Sequence, residues 1–449
     1  MTVIVLGMGV SGIASSNLSL LLEYRTIGID RKSISSLSNE VKKLCEKGME
    51  FYKEEDCLEI LKIADLIIIS PGISNENEIV KKAEDLGKKI VSEIEFAFNF
   101  SKGKIIAITG SNGKSTTTSL INSIMKKKFA DVRIGGNIGT SFSEIVLNSN
   151  ERTLFVLEIS SFQLERIEKF KPSTAILLNL TPDHQDRYKT SEDYYKAKMK
   201  IFENQDENDF AIVNLDDKKI VENLDTVKSR KFYFSQKRHN FEGAFVEDGK
   251  VYLQFKKEGI IEIVDSKDLK IKGPHNLENV MASSIAGYIN GVEKEKIKEA
   301  LVEFQSLPHR LEFVAEINGA LFYNDSKATN VDSVKKALQS FEGNIVLLLG
   351  GRDKGADFSS LKEEVLKRCL KVVGFGEARK KVREVFKGKI EFEEFETLNE
   401  ATLSLKERAK KGEIIVLSPA CASFDEFKNF EDRGEKFKKW IVEGKNDRG

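Results

Sequence analysis

The segment Thr109-Gly110-Ser111-Asn112-Gly113-Lys114-Ser115-Thr116 limits what this chain can fold into more than any other stretch. An apolar run, Ile105-Ile106-Ala107-Ile108, leads into it, and Leu120, Ile121, Ile124 and Met125 follow at helical spacing. A buried strand, a glycine turn and a helix in succession build a phosphate cradle. Glycines let backbone N–H groups turn toward the anion, and the helix start adds partial positive charge. In this reading Gly110, Ser111, Asn112, Gly113 and Thr116 wrap the phosphates of ATP, Lys114 reaches the β/γ-phosphates, and the Ser115 hydroxyl holds magnesium. The usual pattern has a glycine where Ile108 stands, so an ordinary strand-to-helix turn is the competing reading.

Such a cradle belongs to a parallel sheet with crossover helices, and the chain alternates accordingly. Residues 2–6, 26–29 and 66–69 read as strands of a first segment, which ends where Asn99, Ser101 and Gly103 cluster. In a second segment, strands at 153–158 and 175–179 follow the cradle, then a β-rich stretch from 211 to 253, with helical pattern after His275-Asn276. Beyond a linker near Leu307-Pro308, strands are expected at 320–323, 345–349, 372–375 and 414–417. A chain of 449 residues exceeds one ordinary core. The fold class is therefore α/β in three domains: Rossmann-like over 1–97, P-loop ATPase-type over 98–307, and Rossmann-like over 308–449. Lys plus Arg and Asp plus Glu stand at 71 each, which offers no net field for nucleic acid or an anionic membrane. No apolar run approaches the ~20 residues of a membrane span. The four cysteines lack metal-ligand spacing, and the start lacks a signal-peptide pattern, so a cytoplasmic enzyme with reduced thiols is expected.

Several constellations bear on chemistry. Gly7-x-Gly9-x-x-Gly12, with Asp30 closing the next strand, fits a dinucleotide fingerprint. A tight turn, or a site for another diphosphate such as a nucleotide sugar with Arg31 and Lys32 nearby, are the alternatives. Glu158 ends an apolar strand downstream of the cradle, where a magnesium-bearing carboxylate or a solvated charge would sit. Thr181-Pro182-Asp183-His184-Gln185-Asp186-Arg187-Tyr188 is a candidate second-metal or acid–base loop, or simply a hydrogen-bonded one. Lys327 lies between a strand and a helix that Asn330 would cap. Ser423 is expected to open a helix whose Phe424, Phe427 and Phe430 face the core.

Together TGSNGKST, VLEISSFQLE, TPDHQDRY, LPHR and YNDSKATN resemble the Mur ligases, and the tail SPACASFDEFKNFEDRG is similar to that of the D-glutamate-adding members. The resemblance spans the chain. It implies an ATP-dependent amide ligase of peptidoglycan-precursor synthesis, with UDP-N-acetylmuramoyl-L-alanine, D-glutamate and ATP as partners, acting as a monomer. The acceptor carboxylate would become an acyl phosphate, which the amine of D-glutamate attacks through a tetrahedral intermediate. Carried onto this sequence, Lys114 contacts phosphates, Ser115 and Glu158 hold one of two magnesium ions, and His184 holds the other. A CO2-derived carbamate on Lys198 completes that site, with Lys200 as the competitor in register. Asn137 and Lys327 would touch the acceptor or the moving phosphoryl group. Asn276, Arg310 and Asp325 would bind ATP, and Thr329, Lys354, Ser423 and the Phe430 backbone D-glutamate. The N-terminal glycine loop then binds UDP through Gly9, Val10, Ser11, Arg31 and Lys32 rather than NAD. The family also implies a C-terminal domain that closes over ATP. A folylpolyglutamate synthase, a nucleotide switch and an NAD-dependent oxidoreductase are the rival readings.

Overall fold

Runs rich in Ile, Val and Leu, punctuated by glycine turns, assemble into three sheets in this computed structural model, which describes residues 1–184, 187–305, 307–353 and 355–443. The first sheet is wholly parallel, in the order Glu50–Lys53, Arg25–Asp30, Thr2–Leu6, Leu66–Ile69 and Ile90–Ser92. The first strand of the chain lies at its centre, so the glycine loop after Leu6 emerges at the point where the strand order reverses, the ligand edge of open α/β sheets.

The second sheet has nine strands. Its parallel part runs Val132–Gly136, Leu154–Glu158, Lys104–Thr109, Thr174–Leu177, Phe210–Asn214, Arg230–Ser235 and Gly243–Glu247. Lys250–Phe255 and Gly259–Asp265 continue it antiparallel. Ile105 to Ile108 are essentially inaccessible, as a strand flanked by neighbours and covered on both faces must be. The third sheet runs Glu312–Ile317, Ala320–Asn324, Ile414–Ala420, Ile345–Gly350, Cys369–Phe375 and Glu391–Glu394, with only the first strand antiparallel.

The chain divides into two compact units. One holds Met1–Asp265 and Glu278–Val302, and the other Ser266–Leu277 and the chain from Glu303 onward. Within the first unit, a continuous apolar cluster runs from Val3 and Val5 through Ile94 and Phe96 to Ala107 and Leu157, so the first two sheets share a core. Two buried acids on the helix Glu93–Phe98 fasten that junction. Glu93 accepts the Ser143 N–H at 2.6 Å, at the start of the helix Phe142–Ile145. Glu95 accepts the N–H groups of Glu168, Lys169 and Phe170 at 2.8–3.1 Å. Neither acid would be tolerated there without those donors.

Candidate active site

Gly110 (φ 151°) and Gly113 (φ 86°) turn the chain between the strand Lys104–Thr109 and the helix Lys114–Lys126. At Gly113 a Cβ would meet Asn279 Oδ1 at 2.4 Å, so the loop closes only with glycine there. Ile108 needs no such freedom. It pairs with Glu158 on one side and Ile176 on the other, inside the strand. The next strand's end shapes the loop: Asn179 accepts the Asn112 N–H at 2.8 Å, and the Ser111 hydroxyl donates to Thr181 O at 2.8 Å. Lys114 Nζ donates to Gly110 O at 2.8 Å and Ser111 O at 2.9 Å. Ser115 and Thr116 are buried in the helix start.

A second lysine nitrogen reaches the same carbonyl. Lys198, on the helix Ser191–Met199, donates from Nζ to Gly110 O at 2.9 Å and lies 4.6 Å from the centre of the Tyr194 ring. It is 1% exposed, and burial, then the Lys114 charge, hold its pKa well below the ordinary lysine value. Lys200 points elsewhere, to Glu165 O at 3.0 Å. Glu158, 3% exposed, is aligned with both Ile108 and Gly136. Asn137 grips it twice, with its N–H on Glu158 O and its Nδ2 on Glu158 Oε1, both at 2.8 Å. His184 adopts a left-handed backbone (φ 52°), with Phe162 edge-on to its ring at 4.8 Å. Among the described residues, no three His, Cys, Asp or Glu side chains form a metal cage. Magnesium needs none, because it uses one or two carboxylates with phosphate and water. The oxygen donors Ser115 and Glu158 beside the glycine loop fit that ion.

In the first sheet, Gly7 is left-handed (φ 86°), and a Cβ on Gly12 would sit 1.9 Å from Gly7 O. Asp30 accepts the Met8 N–H at 2.8 Å and the Lys32 N–H at 2.9 Å, so its carboxylate ties two loops together. Gly9 and Val10 are exposed at the helix start, with Ser11 half-buried. Arg31 and Lys32 are exposed, and Arg31 lies 3.6 Å from Glu54. A cavity in this unit is lined by Gly7, Asp30, Glu54, Ile73 and Asn77.

In the second unit, Asp325 is buried at the end of Ala320–Asn324, and takes Ser418 Oγ at 2.7 Å and the Leu311 N–H at 3.2 Å. Burial pushes its carboxyl up to about 7. Arg310 stands between two left-handed non-glycine residues, His309 (φ 63°) and Leu311 (φ 41°), a strain that surrounding bonds must hold. His275, beside Arg310 and Lys336, has its pKa lowered to about 3, chiefly by burial. Asn276 donates to Lys272 O at 2.8 Å. Lys327 Nζ lies 5.0 Å from the Phe430 ring centre, and Thr329 is exposed two residues on. Ser423 is buried, and Phe430 O accepts the Ser326 hydroxyl at 2.8 Å. Arg433, fully inaccessible, binds Ser326 Oγ and the carbonyls of Ser326, Cys421 and Ala422 at 2.8–3.2 Å, which draws the three segments together.

Three stretches match family models: a Mur ligase MurD-like N-terminal domain over residues 1–92, a Mur ligase middle domain over 108–287, and a Mur ligase glutamate ligase domain over 309–421. The UDP-N-acetylmuramoylalanine–D-glutamate ligase of Caldanaerobacter subterraneus subsp. tengcongensis is 41% identical over 445 residues, covering 98% of each chain. That of Koribacter versatilis is 42% identical over 439 residues, covering 98% of this chain and 96% of its own. The chain belongs to the Mur ligase family. The fold of this Mur ligase is similar to that of the UDP-N-acetylmuramate–alanine ligase of Thermotoga maritima, with TM-score 0.62, 17% identity and 98% of each chain covered. It is also similar to the MurF ligase of the same organism in complex with ADP, with TM-score 0.63, 16% identity, and 93% of this chain and 95% of that one covered.

Against the sequence expectations for a Mur ligase, the first unit brings Lys114, Lys198 and the Gly110 carbonyl together, and clasps Asn137 to Glu158. Ser423 does not open a helix. A single turn accepts Phe427 N–H at Ser423 O, and Asn429 then caps a new helix, Phe430–Val442. Phe424 is 56% exposed rather than core, because that break leaves it on the turn. Lys354 lies outside the described residues, as do Gln185 and Asp186. Sequence reasoning missed Glu54 and Asn77 at the N-terminal cavity. Glu54 follows the short strand Glu50–Lys53, whose mixed composition gave no signal.

Proposed function

We propose that this Mur ligase joins D-glutamate to UDP-N-acetylmuramoyl-L-alanine at the expense of ATP, releasing ADP and phosphate. The observation that carries the reading is the convergence of Lys114 and the buried Lys198 on the Gly110 carbonyl, with Glu158 at the end of the adjoining strand. An acceptor carboxylate and an ATP γ-phosphate repel each other, and the Lys114 charge, with the magnesium that Glu158 and a modified Lys198 would hold, relieves that repulsion as they react. The glycine loop and Lys114 orient the phosphates, and Asn137 fixes the Glu158 carboxylate. Ser115, Glu158, His184 and a carbamylated Lys198 would hold magnesium, which supplies further charge neutralisation. Lys198 suits the modification: burial favours its neutral amine, whose lone pair adds to the carbon of CO2 with loss of one proton.

In the same reading, residues 1–97 bind the UDP moiety at the Gly9–Ser11 loop with Arg31 and Lys32, residues 98–307 bind ATP, and residues 308–449 bind D-glutamate. Asn276, Arg310 and Asp325 hold the nucleotide, Lys327 meets the phosphoryl group, and Thr329, Lys354, Ser423 and Phe430 receive D-glutamate. The enzyme acts as a cytoplasmic monomer. The test is an amino-acid panel with UDP-N-acetylmuramoyl-L-alanine and ATP, scored by product mass. The D-glutamyl adduct is expected, with ADP release only when both substrates are present. ADP release at the same rate without the sugar nucleotide would overturn the proposal, and glutamylation of a folate instead would favour the folylpolyglutamate synthase reading.

A further inference from the structure

Two motifs carry side chains that the chemistry above leaves unused: Glu165, which ends VLEISSFQLE, and Arg187 and Tyr188, which end TPDHQDRY. All three meet. Glu165 Oε1 accepts the Tyr188 hydroxyl at 2.5 Å, and Oε2 accepts Arg187 at 2.8 Å. The same Oε2 accepts Asn75 Nδ2 at 2.8 Å, from the loop after the strand Leu66–Ile69 of the first sheet. Arg187 reaches that loop directly as well, donating to Pro71 O at 2.8 Å. Arg166 closes the other side, donating to Asn75 Oδ1 at 2.9 Å and to Glu84 at 2.6 Å. The Glu165 and Arg187 side chains are only 10% and 13% exposed, so these charge-assisted bonds are shielded from water.

The cluster also abuts His184. The Arg187 guanidinium lies 4.1 Å from the centre of the Phe162 ring, and Phe162 meets the His184 ring at 4.8 Å. The N–H groups of Arg187 and Tyr188 bond to His184 O at 3.0 and 3.1 Å, which holds His184 in its left-handed conformation. One carboxylate oxygen thus serves both a loop at the ligand edge of the first sheet and the loop bearing His184. The two loops meet on one acceptor, and Arg187 also ties them directly through Pro71 O.

We propose that Glu165 is a positioning residue that couples the 70–77 loop to the His184 loop, so that an acceptor bound at the first sheet sets the phosphoryl-transfer site. This rests on the proposed function, which places the UDP moiety at that sheet. Coupling of this kind changes affinities or rates by roughly 5- to 150-fold.

The test is hydrogen exchange with UDP-N-acetylmuramoyl-L-alanine alone, in wild type and Glu165→Gln, beside steady-state kinetics. In wild type the sugar nucleotide is expected to slow exchange in peptides covering 70–77 and 181–190. In Glu165→Gln the protection remains at 70–77 and is lost at 181–190, while kcat falls roughly tenfold and KM for ATP stays within about twofold. Should that variant fail to fold, Asn75→Ala removes the sheet-side bond to Glu165 together with the Arg166 bond to Asn75, leaves Arg187 on Pro71 O, and is expected to separate the two protections in the same way. Equal protection of 181–190 in wild type and variant, or none there in wild type, overturns the coupling. A wild-type enzyme that forms no D-glutamyl product overturns the functional reading instead.

Discussion

Glu93→Gln should stabilise this protein, and only above mildly acidic pH. Glu93 is 1% exposed and accepts the Ser143 N–H at 2.6 Å. Burial pushes its carboxyl up from 4.5 to about 7, against the Ser143 and Phe142 N–H groups, which favour the carboxylate. A folded-state value above the unfolded one means that the folded protein binds more protons between the two. The Glu93 contribution is therefore fully present below about pH 4.5, declines as pH rises, and levels off above about 7. At about 1.4 kcal/mol per pH unit, that rise corresponds to about 3 kcal/mol. Glutamine keeps an acceptor oxygen for Ser143 and cannot ionise. Urea unfolding followed by circular dichroism at pH 5 and pH 8 isolates the effect, because every other titrating group is common to both proteins. The stability of Glu93→Gln relative to wild type should grow by about 2–3 kcal/mol across that interval. Parallel pH–stability curves for the two proteins would refute the reasoning and place the Glu93 proton elsewhere.

Lys198→Ala should abolish ligation, with partial rescue by concentrated bicarbonate; a fully active wild type whose intact mass shows no carbamate would count against the modified lysine. In Gly12→Ala the added methyl meets Gly7 O at 1.9 Å, so sugar-nucleotide affinity measured by calorimetry should collapse. Arg433→Leu takes the guanidinium donor from the Ser326 and Cys421 carbonyls, while Ser326 Oγ keeps Phe430 O and Ala422 O keeps the Arg352 N–H, and should cost at least about 2 kcal/mol in urea unfolding reported by Trp440 fluorescence. An unchanged midpoint would mean that those groups find other partners.

The strands were legible wherever both faces are covered, because burial demands uninterrupted apolar residues: Ile105–Ile108, Leu66–Ile69 and Ile345–Leu349 announce themselves. Edge strands do not. Glu391–Glu394 and Glu50–Lys53 carry charges because only part of each is buried. The glycine loop was legible as a cradle, and the structure explains its irregular start: Gly110 and Gly113 make the turn while Ile108 stays in the strand. Asp30 illustrates the opposite case. Its place fits a dinucleotide fingerprint, yet its oxygens hold the Met8 and Lys32 N–H groups, a bond pattern that one-dimensional spacing cannot reveal. Lys198 and Lys200 differ by two positions, which is more than half a helical turn, so only the fold separates the lysine at Gly110 from the one at Glu165. Ser423 misled because helix-like spacing of Phe424, Phe427 and Phe430 hides the break that Asn429 makes when it caps the following helix.

The central claim is that the cradle delivers a phosphoryl group to the acceptor's carboxylate before the amine of D-glutamate attacks it. Turnover of UDP-N-acetylmuramoyl-L-alanine labelled with 18O in its carboxylate tests this most directly. The account predicts that each phosphate released carries one labelled oxygen, since the carboxylate oxygen that attacks phosphorus leaves with it. Amide product formed alongside unlabelled phosphate would contradict it.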